Sequence, residues 1–172
     1  MLVVETGAGV ADADALIEVA YADAYHRARN NDQWSDYSTT EKEAAIRAAT
    51  SSLWQYRWVG QRSFAHLPWP RTGVVDRDGW SYSDEEIPER IKMGVAELAL
   101  RAATGVLLQD QQPLDNVKKR SETVGPISET YEYRDGPVPE RQYAVVDVLF
   151  GEFLIDDAEL KGFVSIPIRV VR

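Results

Sequence analysis

The chain has 172 residues, of which 44% are hydrophobic and 27% charged, and its net charge at neutral pH is −9. This length and composition predict one ordinary globular domain, while the excess of acidic groups counts against tight non-specific binding to nucleic acid, which depends on neutralising phosphates. The chain has no cysteine, which excludes disulfides, thiolate zinc sites and cysteine nucleophiles and agrees with a reducing compartment.

The N-terminal segment MLVVETGAG lacks the basic and apolar regions of a signal peptide, and no apolar run has the length of a membrane span. We therefore expect neither export by a signal peptide nor membrane insertion. The stretch TGAGVAD at residues 6–12 contains G-x-G, but Asp12 occupies the position of the third glycine in a dinucleotide fingerprint. This mismatch argues against a nucleotide site.

Hydrophobic periodicity predicts four helices, at residues 19–29, 40–58, 88–105 and 143–154. The second helix is expected to begin with a capping box formed by Thr40 and Glu43. The third is expected to begin near Pro88 and to stop at Gly105.

Between the last two helices, residues 117–133 predict a β-hairpin that turns at Gly125 and Pro126. The C-terminal stretch GFVSIPIRVVR is apolar, β-branched and interrupted by Pro167, which favours an extended arm over a helix. The predicted fold is therefore mainly α (α+β): a small bundle of about four helices with an inserted β-hairpin and extended terminal arms. We expect one helical domain over residues 1–154 and a C-terminal arm over residues 155–172.

The sequence shows no recognisable catalytic arrangement of residues. The two histidines, His26 and His66, lack metal-ligand spacing and are interpreted as surface or half-buried side chains. The sequence DRDG at residues 76–79 lacks the further acids of a calcium loop and predicts an Asp-Gly turn. We therefore expect no enzyme activity, no catalytic residue, no cofactor and no metal.

The most unusual segment is LPWPRTGVVDRDGW at residues 67–80. Pro68 and Pro70 are expected to stiffen this loop in an extended form. Trp54 is expected to anchor the second helix to the core, while Trp58, Trp69 and Trp80 pack the loop onto it. The predicted loop-packing residues are Trp54, Trp58, Trp69 and Trp80.

An alternative interpretation gives two of these tryptophans a binding role. Trp54 and Trp58 lie one helical turn apart, with Arg47 and Arg57 close in sequence. Aromatic and basic side chains combined in this way form stacking platforms for single-stranded DNA. Packing and stacking both remain open at this point.

Charge is unevenly distributed along the chain. Residues 47–77 contain five arginines and one acid, and the acids of residues 78–89 follow directly. We expect Arg71 and Arg77 to be held out on the rigid loop, where a guanidinium can pair with acids of residues 84–89, such as Glu85 or Glu86, in the same or a neighbouring subunit. The alternative is that both arginines are solvated. The residues predicted for a subunit or portal interface are Arg71, Arg77, Glu85, Glu86, Lys118, Lys119, Arg120, Phe163, Ile166, Ile168 and Val170.

Five stretches together carry a resemblance to a known family: ADAY at 22–25, residues 54–62, WPRTGVVDRDG at 69–79, IPERIKMGVAELAL at 87–100 and VGPI at 124–127. Over the chain to about residue 150, they resemble the head-tail adaptor or head completion proteins of tailed bacteriophages, which are often labelled DnaT-like single-stranded DNA-binding proteins. The block at 69–79 is the most specific of the five.

The resemblance implies a structural virion protein made in the host cytoplasm and located in the neck between capsid and tail. It implies a homo-oligomeric ring, usually of twelve copies, which sits beneath the portal protein, extends the DNA channel and offers a platform to a tail-proximal neck or tail protein. Genomic double-stranded DNA would pass through without specific binding, and no membrane is involved. The alternative function is single-stranded DNA binding in phage replication.

Overall fold

The computed structural model describes residues 1–76, 78–105, 107, 119–124, 127–132 and 143–155. This part of the chain is mainly helical, which confirms the predicted α+β class. Its α-helices are α1 (Val19–Arg27), α2 (Thr39–Ser52), α3 (Glu89–Thr104) and α4 (Ala144–Phe150). Its strands are β1 (Gln61–Arg62), β2 (Arg71–Thr72), β3 (Lys119–Val124) and β4 (Ile127–Glu132).

Helix α3 is the central element of the helical unit and packs against α1, α2 and α4. Its buried face carries Ile91, Val95 and Leu98, at the spacing that the sequence predicts for one face of a helix. The observed bounds agree with the prediction, because Pro88 is the N-cap and Gly105 the C-cap.

Helix α2 begins and ends at other residues than predicted. Its capping box is formed by Ser38 and Glu41: the backbone N–H of Ser38 donates to Glu41 Oε2 over 2.8 Å, and Ser38 Oγ accepts from the Glu41 N–H. Ser38 has the extended backbone of an N-cap, whereas Thr40 already lies within the helix. The prediction of Thr40 and Glu43 as the capping pair is therefore wrong.

The α2 helix also stops six residues before its predicted end, and a 3₁₀ turn over Leu53–Gln55 replaces the last turn. The segment that follows pairs with the end of the described chain. Val59 donates to the Phe153 carbonyl and Ile155 to the Arg57 carbonyl, each over 2.8 Å. This pairing brings the residues after α2 against those after α4.

Strands β3 and β4 form the predicted antiparallel hairpin, in a register from Lys119 opposite Glu132 to Val124 opposite Ile127. The hairpin belongs to a compact unit of its own, Leu108–Tyr143, distinct from the helical unit. The predicted C-terminal arm lies outside the described residues, except for Ile155. In the described part of the chain, no helix has the length and apolar character needed to cross a membrane.

Candidate functional site

An aromatic cluster supports the long loop between β1 and α3. Trp58 lies edge-to-face with Trp69 at 5.6 Å between ring centroids and with Phe150 at 5.0 Å, while Trp69 lies against Phe153 at 5.4 Å. The indole N–H of Trp58 donates to the Leu53 carbonyl over 2.9 Å. Edge-to-face packing adds to the stabilisation gained by burying rings of this size. Both tryptophans are buried, which is where packing of the loop requires them.

Arg71 lies on β2 and binds backbone carbonyls of the same loop and of the two residues before β1. Its Nε donates to the Val59 carbonyl over 2.7 Å, Nη2 to the Gly60 carbonyl over 2.7 Å, and Nη1 to the Pro68 carbonyl over 3.1 Å. Burial, and to a smaller degree the neighbouring Arg62, lowers the pKa of the Arg71 guanidinium. Arg71 therefore connects the loop at Pro68 to the segment that precedes β1.

This geometry corrects the expectation that Arg71 is held out to meet a carboxylate. Carbonyls that lie outside regular secondary structure need donors, and the guanidinium fork supplies several at once. Glu85 and Glu86 are exposed, and pairing of either with a neighbouring subunit stays a prediction. Arg77, the other proposed partner, lies outside the described residues.

The other predicted interface residues are described only in part. Lys119 and Arg120 lie on β3, opposite Glu132 and Tyr131 in the hairpin register. The remaining five lie outside the described residues: Lys118, Phe163, Ile166, Ile168 and Val170.

Residues 76–80 form a tight turn that carries Trp80. Asp76 Oδ1 accepts from the backbone N–H groups of Asp78 at 2.9 Å and Trp80 at 2.8 Å, and Gly79 has a φ of 85°. These contacts confirm the predicted Asp-Gly turn and commit one Asp76 oxygen to the backbone. The Trp80 side chain is 73% exposed, so the expectation that it packs the loop onto the core is wrong.

Trp54 is also on the surface rather than in the core. The 3₁₀ turn after α2 directs Leu53 inward, where it is fully buried, and leaves Trp54 51% exposed. The guanidinium of Arg62 lies 5.1 Å from the Trp54 ring centroid, within cation–π range. Trp58 is buried, which overturns the stacking platform made of Trp54 and Trp58, since a buried ring is not available to a base.

The backbone of the glycine-containing loop at residues 6–12 binds a carboxylate of its own chain. Glu5 is buried, and its carboxylate accepts from the backbone N–H groups of Gly7 at 2.7 Å, Val10 at 2.9 Å and Gly9 at 3.0 Å. Successive backbone N–H groups of this kind can bind a phosphate, but here they are already satisfied. The structure thus agrees with the interpretation of this stretch as something other than a nucleotide site.

His26 is buried, not at the surface or half-buried as the sequence suggested. Its Nε2 contacts the Ala96 carbonyl at 3.0 Å, and its Nδ1 contacts Asn31 Nδ2 at 3.1 Å. With these partners Nε2 carries the proton and Nδ1 accepts from the amide. Burial lowers the pKa of His26, so the ring is a neutral link between α1 and α3. Across the described residues, no group of three or more metal-binding side chains is found.

The fold and these contacts define a small, mainly helical α+β protein. Two of its tryptophans, Trp54 and Trp80, are exposed on the surface. A family model described as "Putative DnaT-like ssDNA binding protein" matches residues 1–172, the whole chain, and the protein belongs to this family. No curated protein and no solved structure matches the chain.

Proposed function

We propose that the protein is a structural component of tailed-phage particles, a head-to-tail adaptor that forms a ring beneath the portal. The observation that carries this proposal is Trp80, which is 73% exposed on a turn that four hydrogen bonds with Asp76 hold in place. A large apolar side chain in water on a rigid support is typical of a protein–protein contact, because burying it in a partner costs little conformational entropy.

The distribution of polar groups supports a role in assembly over a role in catalysis. The buried ionisable groups Glu5, His26 and Glu97 each bind backbone or side-chain partners within the fold. Such bonds use their hydrogen-bonding capacity for structure rather than for a substrate. We therefore propose that the protein acts without enzyme activity and without a cofactor.

The proposed ring has about twelve copies, contacts the portal on one side and a tail-proximal neck or tail protein on the other, and resides in the neck of the virion. The net charge of −9 suits a channel wall, since DNA must pass without binding to it.

The test is deletion of the gene from a phage genome that carries it. We expect normal DNA replication, together with separate tails and heads that leak DNA in electron micrographs of the lysate. Complementation with the wild-type gene is the control and should restore complete particles. Failed replication with few filled heads would contradict the adaptor function.

The second candidate function, single-stranded DNA binding, is favoured by one observation, the pairing of exposed Trp54 with Arg62. Base stacking on one such ring contributes about 1–3 kcal/mol. If this function is correct, the purified protein binds an oligothymidylate in a salt-dependent manner and Trp54→Ala weakens that binding by at least about fivefold. The matched control is Trp80→Ala, which removes an exposed indole without an observed arginine above it. Equal effects of the two substitutions, or no binding of the oligothymidylate at low salt, would rule out single-stranded DNA binding through Trp54.

A further inference from the structure

A cavity of about 310 Å³ opens between the N-terminal segment, α1 and α3. Its apolar lining includes Leu16 and Ile17, which are each 2% exposed. Tyr21 forms part of the wall and is held there by a 2.7 Å hydrogen bond from its hydroxyl to Glu89. A cavity of this size lies at the lower limit of sites that enclose a small ligand, about 300–1,000 Å³, and can accommodate one indole ring.

Three charged side chains line the cavity, and one of them, Glu5, already accepts hydrogen bonds from the backbone of the N-terminal loop. Lys92 and the exposed Glu18 are both lining residues. Among the described residues, no ion pair of Lys92 is found. Because the Glu5 carboxylate is already bound by backbone N–H groups, the cavity offers a partner an apolar floor, the Lys92 ammonium and the Glu18 carboxylate.

The Trp80 turn has the complementary features. Its indole is exposed, and Asp78, two residues earlier, is exposed as well. An indole in the cavity would present its face to the Lys92 ammonium and its N–H to the Glu18 carboxylate, while Asp78 would pair with Lys92. An indole that is 73% exposed does not fill a cavity of its own chain, whereas the same cavity on another copy offers the complementary features.

We propose that Trp80 of one subunit inserts into the cavity beneath Lys92 of the next subunit. The inserted side chain and the cavity are different surfaces of the same chain, so each copy has one of each to offer. A contact between two different surfaces is head-to-tail, and it closes into a ring when the rotation between copies permits. This contact rests on the proposed ring and specifies how its neighbouring subunits recognise each other.

The first experiment is sedimentation of the full-length chain over a range of concentrations. We expect Trp80→Ala to raise the dissociation constant for self-association at least about tenfold, as is typical of a central tryptophan in an interface. The matched control is Trp54→Ala, which removes another exposed indole and should change it by less than about twofold. Circular dichroism of each variant verifies that the fold is retained.

Charge exchange tests the pairing itself. Asp78→Lys and Lys92→Glu should each weaken association, and the double variant should regain most of it, because the opposite charges then face each other again. Asp84→Lys, at another exposed acid, is the control for added charge and should not be rescued by Lys92→Glu.

Because the chain has no cysteine, disulfide cross-linking gives an independent readout. A chain with Asp78→Cys is mixed with a chain with Lys92→Cys and oxidised, and we expect a mixed disulfide dimer. Replacing the first chain by one with Asp84→Cys should give little of this product.

The outcomes separate the contact from the function. Association that survives Trp80→Ala, absence of charge rescue, or cross-linking no better than the Asp84 control overturns the contact while the ring stands. A wild-type chain that stays monomeric up to about 1 mM, the limit of weak binding, also overturns the contact. The adaptor function is overturned only by the particle phenotype of the gene deletion.

Discussion

At the scale of single residues, Arg71 shows how a charged side chain stabilises a loop without an acidic partner. It donates to the backbone carbonyls of Val59, Gly60 and Pro68, and a lysine has neither the reach nor the planar fork to bind all three. Replacement with lysine would therefore leave half-buried carbonyls without donors.

We expect Arg71→Lys to lower the free energy of unfolding by about 1.5–3 kcal/mol, the range for hydrogen bonds that involve a charged group. Urea denaturation measures the loss. Arg62→Lys is the matched control, because Arg62 is exposed and donates to one carbonyl, that of Ala65; its loss should stay below about 0.5 kcal/mol. Equal losses for the two variants would show that the carbonyl contacts of Arg71 add no more to the free energy of unfolding than the single contact of Arg62 does.

The fold also changes the protonation equilibrium of His26, which is buried between α1 and α3. Burial lowers its pKa, and the nearby charges Glu97, Arg29 and Arg101 act in opposing directions. Protonation of Nδ1 would also break the hydrogen bond from Asn31, so the native state favours the neutral ring.

Since the native pKa is lowered, the stabilisation by His26 is fully present above the unfolded value of about 6.5 and is lost as the pH falls below it. We expect the free energy of unfolding to fall between pH 6.5 and 5 with a slope of at most about 1.4 kcal/mol per pH unit. His26→Gln should remove this slope. The carboxyls with lowered pKa, those of Asp14, Asp23 and Glu41, titrate below their ordinary values of 3.8 and 4.5, outside the window. A wild-type curve that is flat from pH 7 to 5 would refute this account.

At the scale of elements, the contact between α3 and α4 depends on a glycine. Gly94 lies on the buried face of α3, and a Cβ there would overlap the ring of Phe150 on α4. Phe150 also contacts Trp58, so displacement of its ring would disturb the cluster beneath the loop. The packing of α3 on α4 at Gly94 therefore affects the position of Phe150 and, through it, the aromatic cluster that supports the loop.

We expect Gly94→Ala to destabilise the protein by about 1–3 kcal/mol, since overpacking outweighs the better helix propensity of alanine. Gly105→Ala is the control at the end of the same helix, where no described atom lies within 4 Å of the added Cβ and φ is 176°. It should change stability by less than about 0.5 kcal/mol. Thermal melts compare the two, and a stabilised Gly94→Ala variant would mean that α4 packs differently.

At the scale of the whole molecule, the apolar C-terminal segment is predicted to act in assembly. The sequence FVSIPIRVVR at residues 163–172 is too apolar to remain in water, and an extended segment of this kind can add a strand to a partner. The packing of α3 against α1, α2 and α4 involves elements that all precede this segment, so we expect its removal to leave the helical unit folded.

Deletion of residues 163–172 should therefore preserve the melting temperature but reduce the yield of complete particles in a complementation assay. Replacing Phe163, Ile166 and Ile168 by serine in the full-length chain is the control for length, and it should reproduce the defect. If the truncated chain completes particles as well as the wild type does, the segment is dispensable.

Local signals in the sequence were sufficient to predict the fold class and several individual elements. Periodicity and the flanking Pro88 and Gly105 predict α3, and Asp78-Gly79 predicts the turn, because helix ends and tight turns depend on a few neighbouring residues. The same local rules failed at α2, where Ser38 and Thr40 are both capping candidates and only the backbone conformation distinguishes them.

The sequence by itself determined the helical core, the hairpin and an acidic chain without cysteine. Tertiary structure alone decided which tryptophans are buried, what Arg71 binds and which amides enclose Glu5. The physical reason is that the direction of a side chain after a helix end, and the carbonyls left without donors in a loop, depend on the path of the chain through space. Residues such as Trp69 and Phe153 or Gly94 and Phe150 are distant in sequence, and their contacts exist only once the helices have packed.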